Sequence, residues 1–167
     1  MFKTSINILF TIITIWISLI SSDYIYAIDE ERDSLTASSN IAMSGMQAQS
    51  KRLKVIAQNI ANADVTGSNA EQDPYRRKVI FFKNEFDPKL QVEVVKVEKI
   101  DHDYSEFIIK YMPYHPSADQ NGYVKFPNVN MIVEIADAKE AQRSFEANVN
   151  SLEIAKSNKM RVIDLMK

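Results

Sequence analysis

The chain has 167 residues, 46% of them apolar and 25% charged, with a net charge of -2 and no cysteine. Apolar content of that order excludes a disordered chain, and the near-neutral balance excludes the clustered basic face that a nucleic-acid partner demands. Without cysteine there are no disulfides and no thiolate metal sites, and the chain suits a reducing or an oxidising compartment equally.

Residues 1–27 read as a secretory signal peptide. Lys3 supplies the positive start, the stretch from Ile6 to Ile20 is mostly apolar and uncharged, and Ile25-Tyr26-Ala27 ends on a small residue. The apolar run is short of the roughly 20 residues a membrane span takes, which favours a cleaved leader over a retained anchor. Residues 28–64 then read as an acidic lead-in and a long helix. Asp33 or Ser34 is the candidate N-cap, because a short side-chain oxygen accepts an orphan backbone N–H. The helix over 34–63 would be about 45 Å long. Its Leu35, Ala42, Met46, Gln49, Leu53, Ile56, Ile60 and Ala63 fall 7, 4, 3, 4, 3, 4 and 3 residues apart, a heptad seam. Gly45 weakens it by about 1 kcal/mol relative to alanine. The small neighbours Ala42, Ser44 and Ala48 admit another backbone at close range.

Residues 65–127 read as a loop followed by a small β domain. Gly67, Ser68, Asn69, Asp73 and Pro74 mark the loop. Stretches 76–83, 91–99 and 105–112 are rich in valine, isoleucine and aromatics and read as strands. Turn signals at Asp87-Pro88 and from Asp101 to Asp103 make the connections too short for parallel crossovers, so the sheet is antiparallel. A punctuated linker follows, with His115-Pro116, Gly122 and Pro127. Residues 128–167 read as the closing helix, about 55 Å long if unbroken. Asn128 or Asn130 caps it, and Glu134 and Asp137 suit its positive end. Met131, Ile135, Ala138, Gln142, Phe145, Val149 and Leu152 form a second seam, spaced 4, 3, 4, 3, 4 and 3. Lys156 and Lys159 interrupt it, and Ile163 and Met166 restore it.

The fold class is therefore α+β: long N- and C-terminal helices packing as a coiled coil, with a small antiparallel β domain between them. Two ends that both want helical partners describe part of an assembly. Catalytic signals are weak by comparison. His102 stands between Asp101 and Asp103, and His115 precedes Pro116, but Asp-His-Asp at a turn is an ordinary solvated turn. Three scattered glycines, Gly45, Gly67 and Gly122, build no phosphate loop, and no nucleophile or metal motif occurs. No enzyme activity and no cofactor are expected. Tyr75-Arg76-Arg77-Lys78 is the one basic cluster, either a contact to another subunit or a strand edge kept soluble by charge.

Two sets of residues go beyond generic pattern. The first is Ser44-Gly45-Met46-Gln47-Ala48-Gln49, Asn59-Ile60-Ala61-Asn62-Ala63-Asp64 and Asp73-Pro74-Tyr75-Arg76-Arg77-Lys78. The second is His115-Pro116-Ser117-Ala118-Asp119, Gly122-Tyr123-Val124, Pro127-Asn128-Val129-Asn130 and Glu146-Ala147-Asn148-Val149. Together they resemble the bacterial flagellar rod and hook axial family, and the Tyr75-Arg76-Arg77-Lys78 segment and the run from Gly122-Tyr123-Val124 to Pro127-Asn128-Val129-Asn130 resemble its proximal-rod branch. The resemblance covers residues 38–167. It implies a structural subunit of the basal-body rod that polymerises through its terminal helices and transmits torque from motor ring to hook. The implied partners are further copies of the chain, other rod proteins, motor-ring and rod-base proteins, and an export apparatus. Members of this family leave by type III export without a cleaved leader, so the leader here points instead to the general secretory route.

The candidate assembly residues are Met46, Leu53, Ile56, Asn59, Ile60 and Asn62 on the first helix. Tyr75, Arg76 and Arg77 follow in the basic cluster, and Phe145, Asn148, Val149 and Leu152 on the last helix. Two rival readings stand beside this one: a secreted or membrane-anchored scaffold that reuses the rod fold outside a working flagellum, and an enzyme built on His102 or His115.

Overall fold

The computed structural model describes residues 34–165. The leader read at 1–27, the lead-in with Asp33, and Met166 and Lys167 of the final turn lie outside the described residues. Helix α1 is described over residues 34–61 and ends in a turn at 62–64. The Asn62 side chain terminates it by donating to the Gln58 carbonyl at 2.7 Å. The same carbonyl also accepts the Asn62 backbone N–H at 3.2 Å. Strands β1 (Lys78–Asp87) and β2 (Val92–His102) form one antiparallel hairpin. Strands β3 (Ile108–Tyr111) and β4 (Tyr123–Phe126) form a second. Helix α2 (Met131–Leu165) closes the chain. The architecture is α+β, two long helices flanking small antiparallel sheets.

The first hairpin is longer than its sequence signals. β1 runs on past residue 83 to Asp87, and over that extension Glu85 pairs with Lys83 (2.7 Å) and Lys96 (2.6 Å). The Asp87-Pro88 turn is where the sequence placed it. Asp87 Oδ1 accepts the Lys89 N–H at 2.9 Å, and Gln91 takes a left-handed φ of 54° to re-enter β2. The expected turn from Asp101 to Asp103 moves later: β2 continues through His102, and the Asp103 N–H still donates to the Arg77 carbonyl at 2.8 Å.

The second hairpin corrects the single sheet expected from the sequence. Ile108–Tyr111 does not add to β2 but pairs with Tyr123–Phe126, which had read as linker. Val124 and Phe126 of β4 are buried while Tyr123 and Lys125 are exposed, an alternation four residues long that proline and glycine neighbours conceal. Gly122 makes the pairing possible. Its φ is 83°, and a Cβ there would lie 2.9 Å from the Tyr111 ring and 3.0 Å from Pro113. Gly67 serves the preceding loop in the same way: a side chain would run into the Gln72 carbonyl, and the Ser117 hydroxyl donates to the Gly67 carbonyl.

The first hairpin lies along α1. The Lys78 end is fixed at Asn59, and Val95, whose β1 partner is Asn84, donates its N–H to Ser44 Oγ at 3.3 Å. From residue 44 to 59 a helix rises about 22 Å, and from residue 78 to 84 a strand runs about 20 Å. The two lengths match, so the hairpin retraces α1. Val55 and Ile56 of α1 share one groove with Ile80 and Phe82 of β1 and Asp137 of α2.

Candidate assembly interface

Paired contacts fix how the helices lie. Thr36 meets Lys159 at 3.2 Å, Gly45 meets Asn148, Arg52 meets Asp137 at 3.8 Å and Asn59 meets Glu134 at 3.0 Å. Numbers rise on α1 as they fall on α2, so the pair is antiparallel. The inward stripe of α2 is Glu134, Ala138, Ala141, Phe145, Asn148, Leu152, Ala155, Lys159 and Val162, all buried or half-buried. Ala138, Phe145 and Leu152 belong to the seam read from the sequence. Val149 of the same seam is half-buried, but its Met131, Ile135 and Gln142 are exposed, and Glu134, Ala141 and Asn148 face in beside the remaining seam residues. The apparent interruption at Lys156 thereby disappears, because Lys156 faces outward and Ala155 faces in.

The candidate residues of α1 divide by depth. Ile56 and Asn59 are buried inside the chain, and Met46, Leu53, Ile60 and Asn62 are half-buried. Met46 lines an open groove with Met43 and Phe145, flanked by Gln47, Ser50 and Lys51. On α2, Phe145, Asn148, Val149 and Leu152 are half-buried. Gly45 explains Asn148: a Cβ at position 45 would lie 2.8 Å from the Asn148 amide, so only glycine admits that side chain at this depth.

The deepest site is polar. Asn59 is 1% exposed and Glu134 0%. The Asn59 amide donates to Glu134 Oε2 at 3.0 Å and to the Lys78 carbonyl at 2.9 Å. Its oxygen accepts the Tyr75 hydroxyl and the Lys78 N–H, each at 2.9 Å. All four hydrogen-bonding positions of the amide are used. The two bonds to Lys78 are those a neighbouring strand would make, so Asn59 caps the edge of β1. The other Glu134 oxygen accepts from Arg77 Nε at 2.6 Å. Arg77 also reaches Asp103 at 3.5 Å and Asp137 at 3.8 Å. Asn128 closes the ring, accepting the Arg77 N–H at 2.9 Å and donating to the Asp103 carbonyl at 2.8 Å. Arg76 turns the other way. It donates to the Asp103 and Ser105 carbonyls at 3.2 and 3.1 Å and stacks 4.1 Å from the Phe107 ring centre.

The electrostatics follow from this burial. Burial, then the Glu134 charge, pushes the Tyr75 phenol above its ordinary value. Burial works against the Arg77 charge, but its hydrogen bond to Glu134 and the charges of Glu134 and Asp103 overcome it and raise the guanidinium further. The Ser105 backbone N–H, aided by the Ser105 hydroxyl and the Arg77 charge, holds Asp103 below the usual carboxylate range.

The sequence singled out Tyr75, Arg76 and Arg77 but missed their partner. Glu134 had been read only as a favourable charge at a helix N-terminus, and Asp103 and Asn128 only as turn and cap. The available signal was an acidic residue at the fourth position of a helix whose flanking residues Ile132, Val133 and Ile135 are all apolar. The cap itself is Asn130, whose Oδ1 accepts the Ile132 N–H at 3.0 Å. Of the two histidines, His102 is exposed in β2, and His115 Nδ1 accepts the Ser117 N–H at 3.1 Å. Among the described residues no group of three His, Cys, Asp or Glu side chains could hold a metal ion.

Much apolar surface stays open. Met131, Val133 and Ile135 are exposed at the start of α2, where Ile132 is 80% exposed, and Ile109, Tyr111 and Tyr114 are exposed around the second hairpin.

The comparisons with known proteins bear on the same segments. A family model described as flagella basal body rod protein matches residues 40–67, and one described as the C-terminal region of flagellar basal body rod FlgEFG proteins matches residues 120–165. The chain is 46% identical over 135 residues to the flagellar basal-body rod protein FlgC of Agrobacterium fabrum, covering 81% of this chain and 97% of that protein. It is 40% identical to FlgC of Salmonella typhimurium over 75% of this chain and 93% of the relative. With FlgC of Bacillus subtilis it shares 34% identity, over 77% and 95%. The chain belongs to the FlgC family of flagellar basal-body rod proteins. The two matched segments are those that the Asn59–Glu134 bond joins, one on α1 and one on α2. Arg77, which completes that site, lies between them.

Proposed function

We propose that the chain assembles into the rod through the faces its own fold leaves uncovered, with the buried network holding those faces in place. It is a structural subunit of the flagellar basal-body rod. The observation that carries this is family membership along nearly the full length of the relatives, up to 97% of FlgC from Agrobacterium fabrum. The exposed apolar start of α2 and the open groove at Met43, Met46 and Phe145 agree with a subunit finished by its neighbours. Its partners in this reading are further copies and other rod proteins, with contacts to the motor ring, the rod base and an export apparatus. The proximal position and torque transmission from motor ring to hook are part of the same proposal. No reaction is assigned: FlgC relatives are rod proteins, and the role is mechanical.

The candidate assembly residues then separate into two roles. Ile56, Asn59, Tyr75 and Arg77 act within the chain, and Met46 and Phe145 remain available to a neighbour. The test is incorporation. A tagged chain supplied to cells lacking their own copy should be recovered in purified basal bodies and restore swimming. A folded, correctly exported chain that never enters basal bodies would refute the proposal.

A further inference from the structure

The helix pair must choose one register among several, and its apolar seam is poorly equipped to choose. Ala138, Ala141 and Ala155 on α2 and Ala42, Gly45 and Ala48 on α1 contribute little bulk. Phe145 and Leu152 stand one heptad apart, so sliding α2 by seven residues puts one in the place of the other. Knobs of similar size a heptad apart leave adjacent registers close in energy. Polar side chains are different. A seven-residue slide carries a group about 10 Å along the axis, beyond any hydrogen bond.

Two well-separated keys stand on the pair, one a buried polar network and one a steric fit. At one end the Glu134 carboxylate, fully buried, takes Asn59 Nδ2 at 3.0 Å and Arg77 Nε at 2.6 Å. About 20 Å away along α1, Asn148 fits over Gly45, the one position of that helix without a Cβ. We propose that these two keys set the register of α1 against α2, and that the Asn59–Arg77–Glu134 key acts on register rather than on stability. A buried ion pair is weak evidence for stability, since apolar side chains of like volume commonly serve as well, whereas fixing register is the best-attested use of buried polar groups. The key reaches a third element. Arg77 stands at the entrance to β1 and the Asn59 amide brackets Lys78, so the first hairpin is indexed to the same register. Register in turn sets where the exposed row at the start of α2 stands relative to the Met43–Met46 groove of α1.

The experiment uses spin labels on the full chain, which has no native cysteine to interfere. Cysteines at Ala57 and Ser151, both exposed, carry the labels, and pulsed electron spin resonance reads their separation. The two sites are offset along the pair, so a one-heptad slide changes the distance by about 10 Å. The unaltered network should give one distance. The triple variant Asn59→Leu, Arg77→Met, Glu134→Leu should melt within a few degrees of the parent, or above it, yet show a second distance. The seam variant Ile56→Ala with Leu152→Ala should melt lower and keep the single distance. A triple variant with one unchanged distance would overturn the assignment of register to the Asn59–Arg77–Glu134 key. So would a triple variant that unfolds outright, because the network would then be holding the fold instead of choosing its register. A seam variant that acquires the second distance would also overturn it.

Discussion

Arg77 Nε lies 2.6 Å from Glu134 Oε1, and the Glu134 side chain is 1% exposed whereas Arg77 keeps 23% of its own in solvent. The pair is unequal. The carboxylate depends on the guanidinium for its charge balance, while the guanidinium has Asp103 and Asp137 as further partners.

Substitution at Arg77 follows from that inequality. Arg77→Ala leaves a buried carboxylate whose remaining side-chain bond, among the described residues, is to the neutral Asn59 amide, so the expected cost is about 3–5 kcal/mol. Chemical denaturation of the full chain measures it. A loss below 1 kcal/mol would show that water or another cation reaches Glu134.

Glu134→Gln is nearly isosteric but carries the wrong donors. Both partners, Asn59 Nδ2 and Arg77 Nε, donate, and glutamine offers one acceptor oxygen and one NH2 group. One donor must then face another. The expected loss is about 1–3 kcal/mol, read from the shift in denaturation midpoint at constant slope.

Stability should fall at both pH extremes, with opposite signs. The folded Asp103 has a lowered pKa, so its ionised form contributes above about pH 4, the ordinary carboxylate value, and that contribution is lost as pH falls through the lower folded value. Tyr75 has a raised pKa, so its neutral phenol contributes fully below about pH 10 and the contribution is lost as pH rises through the folded value. Ionised Tyr75 would also stop donating to Asn59 Oδ1. Asp103→Asn should make the acid limb shallower and leave the alkaline limb unchanged, and Tyr75→Phe should do the reverse, each measured as unfolding free energy against pH.

Gly122→Ala meets a left-handed backbone together with crowding from Tyr111 and Pro113. A cost of about 1–2 kcal/mol is expected from the backbone alone. Hydrogen exchange should locate the damage in β3 and β4, with α1 and α2 unaffected. Loss of protection throughout the helix pair would contradict the separateness of the second hairpin.

Ile132→Asp changes a side chain that is 80% exposed. It should leave the melting temperature within about 1 °C, since surface substitutions are nearly neutral, while sharply reducing recovery in basal bodies. Ile56→Asp should do the reverse in part, lowering the melting temperature first, because Ile56 is buried inside the chain. If Ile132→Asp enters rods at the parental level, the start of α2 is not an assembly face.

The helices were legible because their signals are local. Periodic apolar residues placed the end of α1 and the start of α2 to within two or three residues, and Asn130 was among the two named caps. The phase of the α2 seam was not legible. A leg of Ile135 and Gln142 and one of Glu134, Ala141, Asn148 and Ala155 have the same seven-residue spacing, and the isoleucine favours the first. The second faces inward because α1 offers Asn59 and Gly45 to Glu134 and Asn148, a preference that no single-helix pattern encodes. The β3–β4 pairing failed for a similar reason. Four residues of alternation at Tyr123–Phe126 are too few to stand out beside Pro127 and Gly122.

By itself, then, the sequence determined two long amphipathic helices, a β-rich middle and the boxes of the rod family, since periodicity and turn chemistry act over a few residues. The tertiary structure alone decided that Arg77 answers a glutamate 57 residues away and Asn59 the same glutamate 75 residues away. Those pairings are made by folding the chain back along α1. Burial turns three ordinary polar residues into the most tightly specified point of the molecule, because in a dry site each donor and acceptor must find its partner.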